Sequence, residues 1–285
     1  MAVIAELLKI AEEELSLHDI PEPRREAASL LCFALQKDRT NLYAYPEQAV
    51  SPEQMDLYSS LVARRAAHEP FHYITGSKEF FGLEFEVSPA VLIPRPETEM
   101  LVERGIEKLS GKAGPSFCEV GVGSGCISAA LLVNLPVARG VGLELSNEAI
   151  GVASRNLDKH GVAGRFDLRS SDVFSSLGED ERFDLIVSNP PYVPQEAIEG
   201  LQDEVRSHEP HTALTDGADG LSVIRRIVAG APRFLEPGGS ILLEIGMGQS
   251  EEVIRMFDTD IWQYARVEAD FQGIPRVVDA VLRNR

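Results

Sequence analysis

The sharpest chemical content lies in Phe183-Asp-Leu-Ile-Val-Ser-Asn-Pro-Pro-Tyr, an apolar run that ends in Asn189, Pro190, Pro191 and Tyr192. Two successive prolines fix the backbone there, so the Pro190 carbonyl is held in one direction. The side-chain oxygen of Asn189 is a second acceptor beside it, and two neighbouring acceptors suit one planar NH2 group. The ring of Tyr192 can lie against the flat face of the group so held. The segment reads as a holder for an amide or exocyclic amino nitrogen, with an ordinary turn after a strand as the plainer alternative.

A second constellation stands upstream. Glu119-Val-Gly-Val-Gly-Ser-Gly places Gly121, Gly123 and Gly125 between a strand candidate and a helix candidate, where glycine permits a tight turn and close backbone approach to a ligand. The third glycine comes one residue too early for a dinucleotide loop, and Cys126 stands where that pattern needs glycine. No Gly-Lys-Ser or Gly-Lys-Thr follows to grip phosphates, so a different nucleoside cofactor is expected. Roughly twenty residues on, Glu144 closes the run Val141-Gly-Leu-Glu, where a carboxylate can accept from both hydroxyls of a ribose. In Ser171-Asp-Val-Phe, Asp172 can accept from an exocyclic amino group, with Val173 or Phe174 flanking a purine; Asp172 reads equally as the cap of a following helix.

The elements that must position these residues follow from periodicity. Ile4, Leu7, Leu8, Ala11 and Leu15 recur at helical spacing, as do Ala27, Leu30, Leu31, Ala34 and Leu35 after Pro21 and Pro23. Ser51-Pro-Glu-Gln opens a third helix with a capping box. Three short helices predict a bundle over residues 1–75. From Glu79 the period becomes two, with Phe81, Leu83, Phe85 and Val87 on one side, which predicts a connecting hairpin within 76–95. Strand candidates then alternate with helices over 96–285, at Ser116–Val120, Gly140–Leu145, Phe166–Leu168, Phe183–Ser188 and Ser240–Ile245. Ala265–Ala269 and Val277–Leu282 are close enough to form an antiparallel edge. The pattern predicts an α/β domain built on a largely parallel sheet.

Composition removes other classes. The 285 residues carry a formal charge of -18, with acidic excess both before and after residue 75, which argues against binding nucleic-acid phosphates or an anionic membrane. No apolar stretch nears the roughly 18 residues of a membrane span, and the start lacks the pattern of a signal peptide, so a soluble cytoplasmic protein is expected. Cys32, Cys118 and Cys126 form no CxxC pair and read as reduced thiols. His208 and His211 flank Pro210 without a cysteine or HExxH partner, so no metal is expected. Arg95 suits a carboxylate or a substrate loop, or a surface salt bridge.

Taken together, the motifs resemble a class I S-adenosylmethionine-dependent methyltransferase of the amino-group type. More narrowly, the chain resembles the HemK/PrmC protein-glutamine methyltransferases. The likeness rests on Glu69-Pro-Phe-His-Tyr-Ile-Thr-Gly, Glu79-Phe-Phe-Gly-Leu-Glu-Phe, Leu92-Ile-Pro-Arg-Pro-Glu-Thr-Glu, the glycine loop, Asn189-Pro-Pro-Tyr and Glu209-Pro-His-Thr-Ala-Leu. The family usually has Asp where Glu119 and Glu144 stand, changes that keep the charge, and Thr at Val122. Its common Tyr-Glu-Pro-Arg reads here His208-Glu-Pro-His.

The resemblance implies a seven-stranded Rossmann-like catalytic domain behind an N-terminal helical docking domain. It implies S-adenosyl-L-methionine held by Glu119, Gly121, Val122, Gly123, Ser124, Gly125, Glu144, Asp172, Val173 and Asn189. The substrate amide would meet Asn189, Pro190, Pro191, Tyr192 and Arg95, with Asn189, Pro190 and Tyr192 serving the transfer itself. The implied partner is a class-1 peptide chain release factor, modified by a monomer on the glutamine of its Gly-Gly-Gln motif. A ribosomal protein, or an adenine amino group on a flipped nucleic-acid base, are the alternative acceptors.

Overall fold

In a computed structural model that describes residues 2–284, Ser51 opens the helix Pro52–Ala66 with the capping box that its sequence predicts. Ser51 Oγ accepts from the Gln54 N–H at 3.3 Å, and the Gln54 side chain accepts from the Ser51 N–H at 3.4 Å. The helices Ile4–Leu17 and Pro23–Leu35 turn the expected apolar faces inward, packing Ile4, Leu15, Leu30 and Leu31 around Tyr58. Two further helices, Arg39–Ala44 and Phe71–Thr75, escape periodicity because five or six residues hold barely one repeat. The first has a local signal all the same, since Asp38 caps it by accepting from the Asn41 N–H at 2.8 Å.

By contacts, the chain divides into two units. One takes in the residues up to Ser77 together with Gln202–His208; the other is Lys78–Leu201 with the chain from Glu209 onward. Within the first, buried Arg65 holds the returning segment, pairing with both Glu26 and Glu204 at 3.0 Å.

The hairpin joins β1 (Ser77–Phe80) to β2 (Leu83–Glu86). Phe81 and Gly82 both have positive φ, 53° and 72°, the conformation of a two-residue turn. The turn resets the alternation, so Phe80, left out by strict alternation, joins Phe85 and Val87 in the core, while Phe81 in the turn itself is partly buried against the cluster that holds Phe80 and Phe85.

The second unit holds β3 (Ser116–Val120), β4 (Arg139–Glu144), β5 (Phe166–Ser170), β6 (Phe183–Ser188), β7 (Leu235–Glu244), β8 (Trp262–Ala269) and β9 (Pro275–Leu282). They form one seven-stranded sheet in the order β5-β4-β3-β6-β7-β9-β8. The first five run parallel, and β9 lies antiparallel to both β7 and β8. Successive residues serve opposite faces, as a strand's period of two requires. Phe117, Leu185 and Leu242 pack with the helices Glu99–Leu109 and Cys126–Asn134, while Cys118, Ile186 and Ile241 pack with Ser222–Gly230. This burial on both faces explains why the strands read as continuous apolar runs.

The chain winds outward from β3 through β4 to β5, then returns to place β6 and β7 on the other side of β3. A crevice opens at the carboxyl ends where the winding reverses, the usual place for a ligand in such sheets.

Candidate active site

Five strand ends deliver polar groups to that crevice. The glycine loop leaves β3, Glu144 ends β4, Ser171 and Asp172 follow β5, Asn189 follows β6, and Glu244 ends β7. The first four border a cavity of about 510 Å³. Glu119, Gly121, Val122, Gly123, Ser124, Glu144, Asp172, Val173, Asn189, Pro191 and Arg95, all singled out from sequence, line it. Gly125, Pro190 and Tyr192 do not.

Gly121, Gly123 and Gly125 all adopt positive φ, from 55° to 80°, which an L side chain rarely tolerates. Gly125 then caps the helix Cys126–Asn134, packed so closely that a Cβ there would sit 3.4 Å from Ala153. Glu144 holds this loop. Its Oε2 accepts from the Gly123 N–H and its Oε1 from the Ser146 N–H, both at 2.9 Å.

Glu119 is fully buried beneath the loop. Its Oε2 accepts from Ser128 Oγ, and among the described residues Oε1 has no hydrogen-bond partner. Burial pushes its carboxyl up from 4.5 to about 8, with the nearby Glu144 charge adding to the shift. Burial also pushes the Cys126 thiol up to about 12, in keeping with a small inert residue.

Beyond β5, Asp172 forms an ion pair with Arg226 at 2.8 Å, and both border the cavity. No helix follows Asp172, so its capping role falls away. Val173, with φ of 52°, is a β-branched residue in the left-handed region, a strained conformation of a kind concentrated at binding sites. Ser171 Oγ donates to its carbonyl at 2.8 Å. Of the two candidates for the purine face, Val173 lines the cavity; Phe174 instead packs on Phe234, ring centroids 5.1 Å apart.

Arg95 pairs with the buried carboxylate of Glu209, which also accepts from the Ile93 N–H at 3.4 Å. The guanidinium thus ties the Ile-Pro-Arg-Pro segment to the His-Glu-Pro-His segment. The sequence reading left this pairing undefined, because the two residues lie 114 positions apart.

At the end of β6, Asn189 donates from Nδ2 to Thr98 Oγ1 at 3.1 Å. Thr98 donates in turn to Glu244 Oε2 at 2.7 Å, and Tyr192 donates to Glu244 Oε1 at 3.3 Å. The tyrosine is gripped from behind as well, its carbonyl accepting from Gln249 Nε2 at 2.8 Å. Glu244 is 2% exposed, and burial pushes it up to about 7 against the opposing effect of its two hydrogen bonds. Sequence reasoning missed Thr98, Arg226 and Glu244. Glu244 carried the signal used for Glu144, a charge at the carboxyl end of a buried strand that must find partners.

A family model for the PrmC N-terminal domain matches residues 6–76, and one for the methyltransferase small domain matches residues 98–205. The release factor glutamine methyltransferase of Geobacter sulfurreducens is 46% identical over 259 residues, covering 91% of this chain and 89% of that protein. The enzyme of the same description from Nitratidesulfovibrio vulgaris is 39% identical over 98% of this chain and 95% of its own length. Among solved structures, a methyltransferase from Pyrococcus furiosus shares the fold, with a TM-score of 0.53 at 17% identity over 78% of this chain and 98% of that one. Among the described residues, no helix is long and apolar enough to cross a membrane.

Proposed function

The chain belongs to the release factor glutamine methyltransferase family, and on that premise we propose how it carries out the transfer. A methyl group passes from S-adenosylmethionine to the side-chain amide nitrogen of the glutamine in the Gly-Gly-Gln motif of a class-1 peptide chain release factor.

The residues around the cavity fit this cofactor. Its volume of about 510 Å³ suits a nucleoside with an amino-acid arm, and Glu119, whose Oε1 has no hydrogen-bond partner among the described residues, lines it. Gly121, Gly123 and Gly125 would let the backbone approach the arm, Glu144 would take the ribose, and Asp172 with Val173 would meet the adenine. When bound, the cofactor would supply an electrophilic methyl group on a sulfonium, whose S–CH3 bond would break as the N–C bond forms, leaving a neutral thioether.

The protein's own task is to make an amide nitrogen act as a nucleophile. That nitrogen is weak because its lone pair is delocalised into the carbonyl. Asn189 Oδ1 and the Pro190 carbonyl each accept one hydrogen of the substrate NH2, drawing electron density to nitrogen and fixing its direction. Pro190 and Pro191 keep the two acceptors rigid. No base is required before the N–C bond forms, because the proton leaves once nitrogen has gained its fourth bond. The observation that carries the reading is the amide of Asn189, held through Nδ2 by Thr98 so that its oxygen is the end left to accept.

The test is transfer of labelled methyl to purified release factor, beside a Gln→Ala variant of its Gly-Gly-Gln loop, ribosomal protein and duplex DNA. Label on the intact factor alone is the expected result. Label on ribosomal protein or DNA instead would move the substrate to another class.

A further inference from the structure

We propose that Glu244, acting through Thr98, is the positioning group that decides which end of the Asn189 amide faces the substrate. This deepens the function proposed above and rests on it, because it concerns the same acceptor site.

An asparagine amide has a donor end and an acceptor end of nearly equal shape, so its sense is set by what its neighbours donate and accept. The proposed transfer needs the oxygen toward the substrate. If the amide turned over, its NH2 would face the NH2 of the incoming glutamine, donor against donor. Thr98 by itself does not choose, because a hydroxyl donates as readily as it accepts. Glu244 removes that freedom. A carboxylate only accepts, so the Thr98 hydrogen is committed to Oε2 at 2.7 Å, and the Thr98 oxygen can then only accept. At 3.1 Å from Thr98 Oγ1, Asn189 must present its NH2. The Tyr192 hydroxyl commits its hydrogen to Oε1 of the same carboxylate, fixing the far end of the Asn-Pro-Pro-Tyr segment.

Thr98 is 3% and Glu244 2% exposed, so the bond between them is shielded from water, while half-buried Asn189 is the member of the relay that faces the cavity. Other charges near Glu244 are Arg276 on β9 and Glu97 on the turn Pro96–Thr98, and both act on it through space. Neither is hydrogen-bonded to the Thr98 hydroxyl, whose side-chain partners among the described residues are Glu244 and Asn189, while Arg276 Nε donates to Asp270 at 3.0 Å. Thr98 and Glu244 lie 146 residues apart, on the entry to the helix Glu99–Leu109 and the end of β7. They meet because the helix Glu99–Leu109 packs across β6 and β7.

The experiment compares Thr98→Val, Thr98→Ser and Glu244→Gln with the parent at pH 8.5, where Glu244 is ionised. Valine keeps the shape and removes the hydroxyl; serine restores it. Glutamine can donate to Thr98, which frees the threonine hydrogen for the oxygen of an inverted Asn189. For Thr98→Val, kcat on release factor should fall roughly 10- to 100-fold, the scale of a misaimed reacting group. Its affinity for S-adenosylmethionine should stay within about two-fold, and Thr98→Ser should recover most of the rate.

Activity is not the only readout. The side-chain NH2 signals of Asn189 in 1H–15N spectra, assigned with Asn189→Asp, should shift in Thr98→Val and in Glu244→Gln and return in Thr98→Ser. Unchanged Asn189 signals in folded Thr98→Val, or equal losses of rate in the valine and serine variants, would overturn the proposal. A parent that binds cofactor but leaves release factor unlabelled would instead overturn the proposed function, and the Asn189 signals would still decide the relay.

Discussion

The backbone N–H of Gly123 donates to Oε2 of Glu144 at 2.9 Å, so the glycine loop after β3 and the acidic end of β4 form one clamp. Each oxygen of Glu144 already accepts one backbone hydrogen and keeps lone pairs for a ligand hydroxyl. Replacing Glu144 by Gln weakens a charge-assisted contact and turns one acceptor into a donor. Hydrogen bonds to charged groups contribute about 1.5–3 kcal/mol, so the dissociation constant for S-adenosylmethionine should rise by roughly 10- to 100-fold. At saturating cofactor kcat should change little, and calorimetry with steady-state rates separates the two.

Glu119 should couple cofactor binding to a proton. With its pKa pushed up to about 8 by burial, the side chain is mostly protonated at pH 7. A cationic ligand beside it favours the charged form, so binding at pH 7 should release up to about one proton. Calorimetry in two buffers of different ionisation enthalpy reads this directly, and Glu119→Gln should abolish the buffer dependence. Stability carries the matching sign. Because the folded value is raised, the group's stabilising contribution is complete below 4.5 and is lost as pH rises through about 8. Glu119→Gln should therefore raise Tm at pH 9 relative to the parent by more than at pH 6.

The ion pair between Arg95 and Glu209 should behave as a structural tie. Glu209 is buried, whereas the Arg95 side chain is about one-third exposed at 32%. Removing one partner of a buried pair costs about 3–5 kcal/mol, and solvent at the arginine reduces that to roughly 2 kcal/mol for Arg95→Ala. Adding Glu209→Gln should return part of the loss, because the carboxylate no longer needs a counter-charge. Urea unfolding of the two single variants and the double variant measures the coupling, and additive effects would remove the tie.

Gly220 has φ of 77°, and a Cβ placed on it would lie 2.2 Å from the Tyr192 carbonyl oxygen. Both atoms in that clash are held by backbone, so no side-chain rotation relieves it. Gly220→Ala should cost about 1–3 kcal/mol for the conformation alone, with the clash added. It should also displace the end of the Asn-Pro-Pro-Tyr segment. A variant with parental Tm and parental kcat would show that the contact does not position the site.

Residue order and local period were enough to lay out most of the sheet. The apolar run Phe183–Ser188 is β6 without any adjustment, and the Ser51–Gln54 box is formed as read. Such features depend on neighbours a few residues away, whose sterics and hydrogen bonds are written in the chain itself. Phe80 marks the limit of that logic: strict alternation leaves it off the apolar side, whereas a turn with two positive φ angles resets the period and buries it.

The sequence by itself determined which chemical groups end the strands, and in which order: glycine loop, Glu144, Asp172, Asn189. It did so because strand ends fall where apolar runs stop. Only the tertiary structure decided which of those groups are already spoken for, joining Arg95 to Glu209, Asp172 to Arg226, and Asn189 to Glu244 through Thr98. Hydrogen bonds of a buried polar group go to whatever the packed sheet brings within about 3 Å, and proximity of that kind has no period along the chain.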